Sequence, residues 1–196
     1  VFEMIRDGYS FEDSSSDEEN EYESYELVKF LATGKFPVLL VSLDQKEYVM
    51  KVFPFDEENR TSRYFRNELR FRNLEHPNVI RILECRDYFE MIIDDEQKPV
   101  SYTIMEYAPY GDFNNLLKKV TFDDKLVRTY FHQLIRGLEY LHSKGIYHLD
   151  IKLANLLLGE GYELKIADFD LAHTKGERRI KSRGSKYFRS PEIATN

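Results

Sequence analysis

His148-Leu149-Asp150-Ile151-Lys152-Leu153-Ala154-Asn155-Leu156-Leu157-Leu158, followed at short range by Ile166-Ala167-Asp168-Phe169-Asp170, sets four chemically capable side chains among apolar neighbours. Asp150, Lys152, Asn155 and Asp168 fall within nineteen positions. A polar group beside buried surface is costly unless partnered, so the four require each other, a cation or a phosphate. A metal–phosphate site satisfies all of them. In that reading Asp150 is the base for a hydroxyl nucleophile and Lys152 a cation for a transferring phosphoryl group. Asn155 and Asp168 are hard oxygen ligands of the kind Mg²⁺ prefers.

Working outward, the chain has 196 residues, 42% of them hydrophobic, with 14 Tyr and 14 Phe, enough for one sizeable core or two small lobes. Charge is uneven. Val1 to Ser24 holds nine acids against Arg6, a net of −8 in a chain of −7, which leaves the remainder at +1. The acidity therefore belongs to a tail over 1–24, expected to be disordered because it has little to bury and much like charge. Ser14, Ser15 and Ser16 each have an acid three residues on, which reads as a solvated low-complexity arm or as a phosphosite context. A near-neutral domain lacks the positive face that nucleic acid demands, so no nucleic-acid partner is expected. Cys85 is the single cysteine, which excludes an internal disulfide or a cysteine zinc cluster. The absence of a long apolar run or a signal peptide points to no membrane partner and to a soluble intracellular protein, cytoplasmic or nuclear.

From Tyr25 the pattern turns to strands. Tyr25 to Leu31, Val38 to Leu43 and Glu47 to Phe53 are short and rich in Val, Leu, Phe and Tyr, with turn-prone Thr33-Gly34-Lys35 and Asp44-Gln45 between them. They predict an antiparallel meander. Ser62 to Leu74 reads as a helix ended by His76-Pro77, since the residue before proline leaves helical geometry. Val79 to Leu83, Cys85 to Ile93 and Val100 to Glu106 continue as strands, with an exposed hairpin loop over 94–98. Thr121 to Ser143 is the clearest helix: Val127, Tyr130, Phe131, Leu134, Leu138 and Leu141 recur at helical spacing, capped by Thr121 or Asp123 and closed by Gly145.

At this point the sequence resembles the eukaryotic protein kinase family. The catalytic-loop pattern H-R-D-x-x-x-x-N stands as His148-Leu149-Asp150 to Asn155, D-F-G as Asp168-Phe169-Asp170, and A-P-E as Ser190-Pro191-Glu192. A lysine two places after Asp150 resembles the serine/threonine branch. The resemblance implies an α+β, bilobal protein-kinase-like fold. Its N-lobe over 25–107 would be an antiparallel sheet with one helix, and 108–196 a mostly helical C-lobe, incomplete because the helices after A-P-E are missing. It implies ATP and Mg²⁺ as cofactors and a protein substrate as partner, with transfer of the γ-phosphate to Ser or Thr hydroxyls. The alternative is a pseudokinase or nucleotide-binding scaffold without turnover.

The resemblance also assigns residues. Lys51, in Tyr48-Val49-Met50-Lys51, takes the place of the V-A-I-K lysine; a lysine ending an apolar strand is, taken alone, more often a residue that snorkels to the surface, and the resemblance turns the reading to a phosphate contact. Its implied partner is Glu68, with Glu57, Glu58 and Glu75 as rivals. Arg72 falls where the family has an apolar spine residue, and Phe71 is the substitute, which implies a small helix shift. The glycine loop keeps only Gly34, because Ala32 and Pro37 replace its flanking glycines; Phe36 would cover the site. Leu31, Leu39, Val49, Met105 and Leu157 would surround adenine or serve as ordinary core, with the Glu106 and Ala108 backbone at its edge. Asp112 reads as a ribose or substrate contact or as a helix N-cap. Leu149 replaces the arginine that grips an activation-segment phosphate, so activity should depend less on phosphorylation, although Thr174 and Ser182 lie near Arg178, Arg179 and Lys181. Asp170 replaces a glycine and brings negative charge beside the metal site. Ser185 would contact Asp150 and Lys152, 187–192 would receive the substrate segment, and Ala154 argues against a strong arginine preference. His148 reads as a packed spine residue.

Overall fold

A computed structural model describes residues 25–56, 58, 60–93, 96–176 and 184–189. The acidic tail, Glu57, the Asp94-Asp95 loop tip, Arg178, Arg179, Lys181, Ser182 and the Ser190-Pro191-Glu192 tripeptide lie outside them.

Five strands form one antiparallel sheet: β1 (Glu26–Ala32), β2 (Val38–Leu43), β3 (Lys46–Pro54), β4 (Ile82–Ile93) and β5 (Glu96–Glu106), in the order β1-β2-β3-β5-β4. The β2–β3 turn is tight because Asp44 and Gln45 both adopt left-handed backbone, φ 51° and 64°, which matches the twist of the strands they join. Helix α1 (Arg63–Leu69) follows β3, and its N-cap Ser62 accepts a hydrogen bond from the Tyr64 N–H. It is shorter than the sequence suggests. Residues 70–73 are turns, Phe71 is buried and Arg72 is exposed, so ending the helix early is how Phe71 reaches the core.

Residues 78–80 depart from the expected strand. They leave the sheet and pair with β8 (Leu164–Ile166): the Ile166 N–H donates to the Asn78 carbonyl at 2.9 Å and the Ile80 N–H to the Ile166 carbonyl at 2.8 Å. The Asn78 amide adds a bond to the Leu164 carbonyl at 2.9 Å. The first and second halves are thereby joined through backbone.

The second half holds a four-residue α2 (Phe113–Leu116), the long α3 (Asp124–Ser143), and short strands β6 (Ile146–Tyr147), β7 (Leu156–Leu158) and β9 (His173–Thr174), β6 pairing with β9 and β7 with β8. The described part is therefore less helical than expected, because the catalytic loop and its neighbours are held in short two-stranded ladders. Asp123 is the N-cap of α3 and accepts the Leu126 N–H at 2.7 Å. Gly145, at φ +69°, follows the C-cap Lys144 in the left-handed geometry that ends many helices. The buried face of α3 is Tyr130, Gly137 and Leu141, with Leu134 and Leu138 packed beside them. Val127 and Phe131, expected in that stripe, are 51% and 59% exposed. The helix carries two apolar faces, and β8 covers one. Within the described residues no helix is long and apolar enough to cross a membrane.

Two apolar clusters result. One gathers Leu39, Val41, Met50, Val52, Tyr102 and Ile104 on one face of the sheet. The larger runs from Phe71, Val79 and Met105 through Leu141 and Leu156 to Ile166 and Phe169, and spans both halves.

Candidate active site

The register of the sheet decides what faces the cleft. Residues paired across an antiparallel ladder share a face. Lys51 pairs with Val38 and Thr103, and Val49 with Leu40 and Met105. Leu40, Val49, Lys51, Thr103 and Met105 therefore line one side. Leu39 pairs with Met50 and is buried in the opposite cluster, which corrects its expected place beside adenine. Leu40 shares the face of Val49 and Lys51 instead, since a slip of one residue moves a side chain to the other face. Leu31 sits at an irregularity of β1 and is 41% exposed. Gly34, at φ +148°, uses backbone that favours glycine. Phe36 does not cover the cleft but stacks on Phe53 and on Tyr64 of α1, at ring distances of 5.1 and 5.0 Å.

Lys51 is buried, which excludes the snorkelling reading. Its Nζ donates to Glu68 Oε1 at 3.1 Å and to Asp168 Oδ1 at 2.7 Å, with Asp170 Oδ2 4.0 Å away. Burial opposes its charge, but the three carboxylates outweigh it and hold the ammonium protonated. Glu68 is fully enclosed; burial pushes its carboxyl upward, offset in part by Lys51 and by the Thr103 hydroxyl, which donates at 3.3 Å. Burial, reinforced by Asp168, raises the Asp170 carboxyl to about 7. The substitution of aspartate for glycine thus places a third acid against Lys51.

The catalytic loop converges from the other side. Asp150 Oδ2 accepts from Lys152 Nζ at 2.6 Å and from the Asn155 amide at 3.1 Å, and Oδ1 accepts the Ser185 N–H at 2.6 Å. Lys152 also donates to the Ser185 hydroxyl at 2.8 Å. Burial works against ionisation of Asp150, yet these donors hold its carboxyl below the usual range. Leu149 and Asp168 adopt left-handed backbone, φ 65° and 70°, a strain that clusters at functional positions. His148 is a packed residue, as the sequence suggests. Its Nε2 donates to the Ala167 carbonyl at 2.9 Å, Nδ1 accepts the Asp150 N–H at 3.3 Å, and burial keeps the ring neutral. Phe71, Phe169 and His148 stack in sequence at ring distances of 5.9 and 5.0 Å.

Some expected residues play other parts, and some contributors were not singled out. Asp112 is the N-cap of α2, its two oxygens accepting from the Asn115 N–H and side-chain amide at 2.9 and 2.8 Å. The Glu106 carboxylate turns away from the cleft to the Arg81 N–H at 2.7 Å and to Lys165 at 3.0 Å. Asn67, one residue before Glu68, donates to the carbonyls of Phe169, Asp170 and Ala172 at 3.2, 2.9 and 2.8 Å, which fastens α1 to the segment carrying Asp168. Only its adjacence to Glu68 could have flagged it. A cavity of about 1150 Å³ opens beside the hinge, the connection 106–111 that leads from β5 into the second half, lined by Arg81, Glu106, Tyr107 and Lys165. Neither Lys51 nor Asp150 nor Asp168 lines it, so the site is assigned by convergence of polar groups rather than by volume.

Residues 25–196 match the family model for the protein kinase domain. The chain is 33% identical over 150 residues to CBL-interacting protein kinase 11 of Oryza sativa, covering 76% of this chain and 26% of that protein. It is 31% identical over 174 residues to mitogen-activated protein kinase mpkC of Aspergillus terreus, covering 86% and 45%. Against mitogen-activated protein kinase kinase kinase 2 of Arabidopsis thaliana it is 37% identical over 130 residues, covering 62% and 18%. The chain thus spans less than half the length of these relatives. With a sheet-borne lysine and a loop-borne carboxylate cluster facing one cleft, and with this match over all the described residues, the chain belongs to the protein kinase family.

Proposed function

We propose that this chain is the nucleotide-binding and catalytic-loop portion of a serine/threonine protein kinase that uses ATP and Mg²⁺ to phosphorylate protein hydroxyls. The observation that carries the reading is the 2.7 Å contact between Lys51 of the sheet and Asp168 of the loop, with Glu68 behind Lys51 and the Asp150 cluster beside it. The donor set fits the metal. The Asp168 side chain is 34% exposed, open toward a cation, whereas Glu68 at 1% is committed to Lys51. Asn155 spends its amide nitrogen on Asp150, which leaves its carbonyl oxygen as the metal-facing atom. Two protein oxygens suit an ion that keeps water and phosphate as its other ligands.

Bound Mg²⁺·ATP supplies the transferable phosphoryl group and neutralises its charge. Lys51 holds phosphate oxygens and is kept in place by Glu68. Asp150, ionised, accepts the hydrogen bond of the substrate hydroxyl and aims its oxygen, while Lys152 stabilises charge on the transferring group. Leu40, Val49, Met105 and Leu157, with Leu31 at the rim, enclose the base, and the backbone of Glu106 and Ala108 meets its edge. Gly34 gives the phosphates their closest backbone approach. Lys152, Ser185 and Asn155 fix the Asp150 carboxylate before substrate arrives.

In the full-length protein, Asp150→Asn should lower phosphate transfer on the order of 10²- to 10³-fold, as loss of one placed catalytic group typically does. Nucleotide binding, read by a Mg²⁺·ATP thermal shift, should be nearly unchanged. Equal loss of binding and transfer contradicts the role given to Asp150, and a wild-type protein that binds nucleotide but transfers nothing to protein favours a scaffold.

A further inference from the structure

The β1–β2 connection over 33–37 has a single glycine, Gly34, and side chains hold the rest of it in place. One end is fixed at Pro37, whose carbonyl accepts the Val52 N–H at 2.9 Å. The tip is fixed by Phe36, whose ring lies 5.0 Å from that of Tyr64 in α1 and 5.1 Å from that of Phe53 in β3. Tyr64 is clamped in turn. Lys35 Nζ sits 4.7 Å from its ring centroid and the Arg63 guanidinium 4.8 Å, and Arg63 Nη2 donates to its hydroxyl at 2.9 Å. Beneath them Phe53 meets Phe65 of α1 at 5.6 Å, and both are buried, so the platform is close-packed.

Helix α1 therefore carries two fixtures. One turn on from Tyr64, Glu68 accepts from Lys51 Nζ at 3.1 Å. Residues four apart leave a helix on the same side, so both fixtures meet the sheet together. We propose that Tyr64 is a positioning residue: by seating Phe36 it makes α1 set the backbone of 33–36 as well as Lys51, the two groups that would face the phosphates from the sheet. The effect on nucleotide affinity rests on the nucleotide-site reading above; the seating of Phe36 does not. Without the ring at 64 the connection pivots at Gly34 and is anchored at Pro37, and the entropy of ordering it falls on nucleotide binding. That cost is confined to ligands with phosphates. The base would meet Leu40, Val49 and Met105, which the strand register holds independently of the connection.

The test uses the full-length protein with Tyr64→Ala and Tyr64→Phe, titrated calorimetrically with Mg²⁺·ATP and, separately, with adenosine. Tyr64→Ala should weaken Mg²⁺·ATP binding by roughly two- to tenfold, the range one aromatic pair supplies, and leave adenosine affinity near wild type. Amide exchange across 33–36 should quicken. Tyr64→Phe keeps the ring and should show neither effect. Phe36→Ala, a change in the connection rather than the helix, should match Tyr64→Ala, and the double variant should lose nothing further. Equal loss of ATP and adenosine affinity means a general structural role and overturns the proposal, as do unchanged ATP affinity in Tyr64→Ala or additive losses in the double variant. A wild-type protein that binds no Mg²⁺·ATP overturns the nucleotide-site reading and the effect on affinity with it, whereas quickened exchange in Tyr64→Ala would still establish the seat of Phe36.

Discussion

Gly184 shows how one residue holds the Asp150 carboxylate in place. Its φ of +84° is left-handed, and a Cβ there would press into the Leu149 carbonyl oxygen, which is backbone and cannot swing aside. The following N–H, of Ser185, donates to Asp150 Oδ1 at 2.6 Å, and the Arg189 side chain caps the Gly184 carbonyl at 2.7 Å. Gly184→Ala should therefore displace Ser185 from Asp150. The strain alone costs about 1–2 kcal/mol. Transfer should slow by about tenfold or more, since each 1.4 kcal/mol is a factor of ten, while ATP affinity stays near wild type because Lys51 is untouched. Steady-state rates beside nucleotide titration check this, and a matched loss of ATP affinity would show that the glycine serves the fold more broadly. The requirement was invisible in the sequence, where Gly184 is one of 9 glycines, because Leu149 is thirty-five positions away.

Among elements, α3 packs on β8 and on Asn78 at Gly137. A Cβ at Gly137 would come within 2.8 Å of Ile166 Cδ1 and 2.9 Å of the Asn78 carbonyl oxygen. The side chain can move but the carbonyl cannot, since Asn78 O accepts the Ile166 N–H. Gly137→Ala should destabilise the protein by about 1–3 kcal/mol despite alanine's better helix propensity, as overpacking does in a close-packed interface. Urea unfolding reads the difference, and a stabilised variant would mean that the contact yields. Helix periodicity located α3 to within a few residues, but could not separate its two apolar faces, because Val127 and Phe131 obey the same spacing as Tyr130 and Leu141. Likewise α1 was expected through Leu74. Phe71 is drawn into the stack with Phe169 and His148, and tertiary packing overrides local propensity.

At the scale of the molecule, the two halves are tied behind the hinge as well as across the cleft. Lys165 of β8, 10% exposed in its side chain, contacts Glu106 of β5 at 3.0 Å and Glu163 at 3.3 Å, and donates to the Pro77 carbonyl at 3.3 Å. Glu106 also receives the Arg81 N–H, so its carboxylate joins the end of the sheet to the second half. A double-mutant cycle with Glu106→Gln and Lys165→Met should return a coupling of about 0.5–3 kcal/mol, the range for contacting partners in one network. Additive effects would show that the tie contributes nothing beyond its separate parts. A cavity of about 1150 Å³ lies along this tie, away from Lys51, Asp150 and Asp168.

The sequence by itself determined the family and the meander that opens the sheet, and it singled out Lys51, Glu68, Asp150, Lys152, Asn155 and Asp168, which the structure gathers into two contacting sets. Asp150, Lys152, Asn155 and Asp168 are close-spaced polar residues costly to leave unpartnered, whereas Lys51 and Glu68 were named by the resemblance to the protein kinase family. Only the tertiary structure decided that Leu40 rather than Leu39 faces the cleft, that Asn67 and Arg70 fasten α1 to the segment of Asp168 and Thr174, and that 78–80 belong with β8. A side chain's face depends on strand register, and a contact across a hundred residues depends on packing. Neither leaves a periodic trace in the chain, because both arise from distant segments meeting in space.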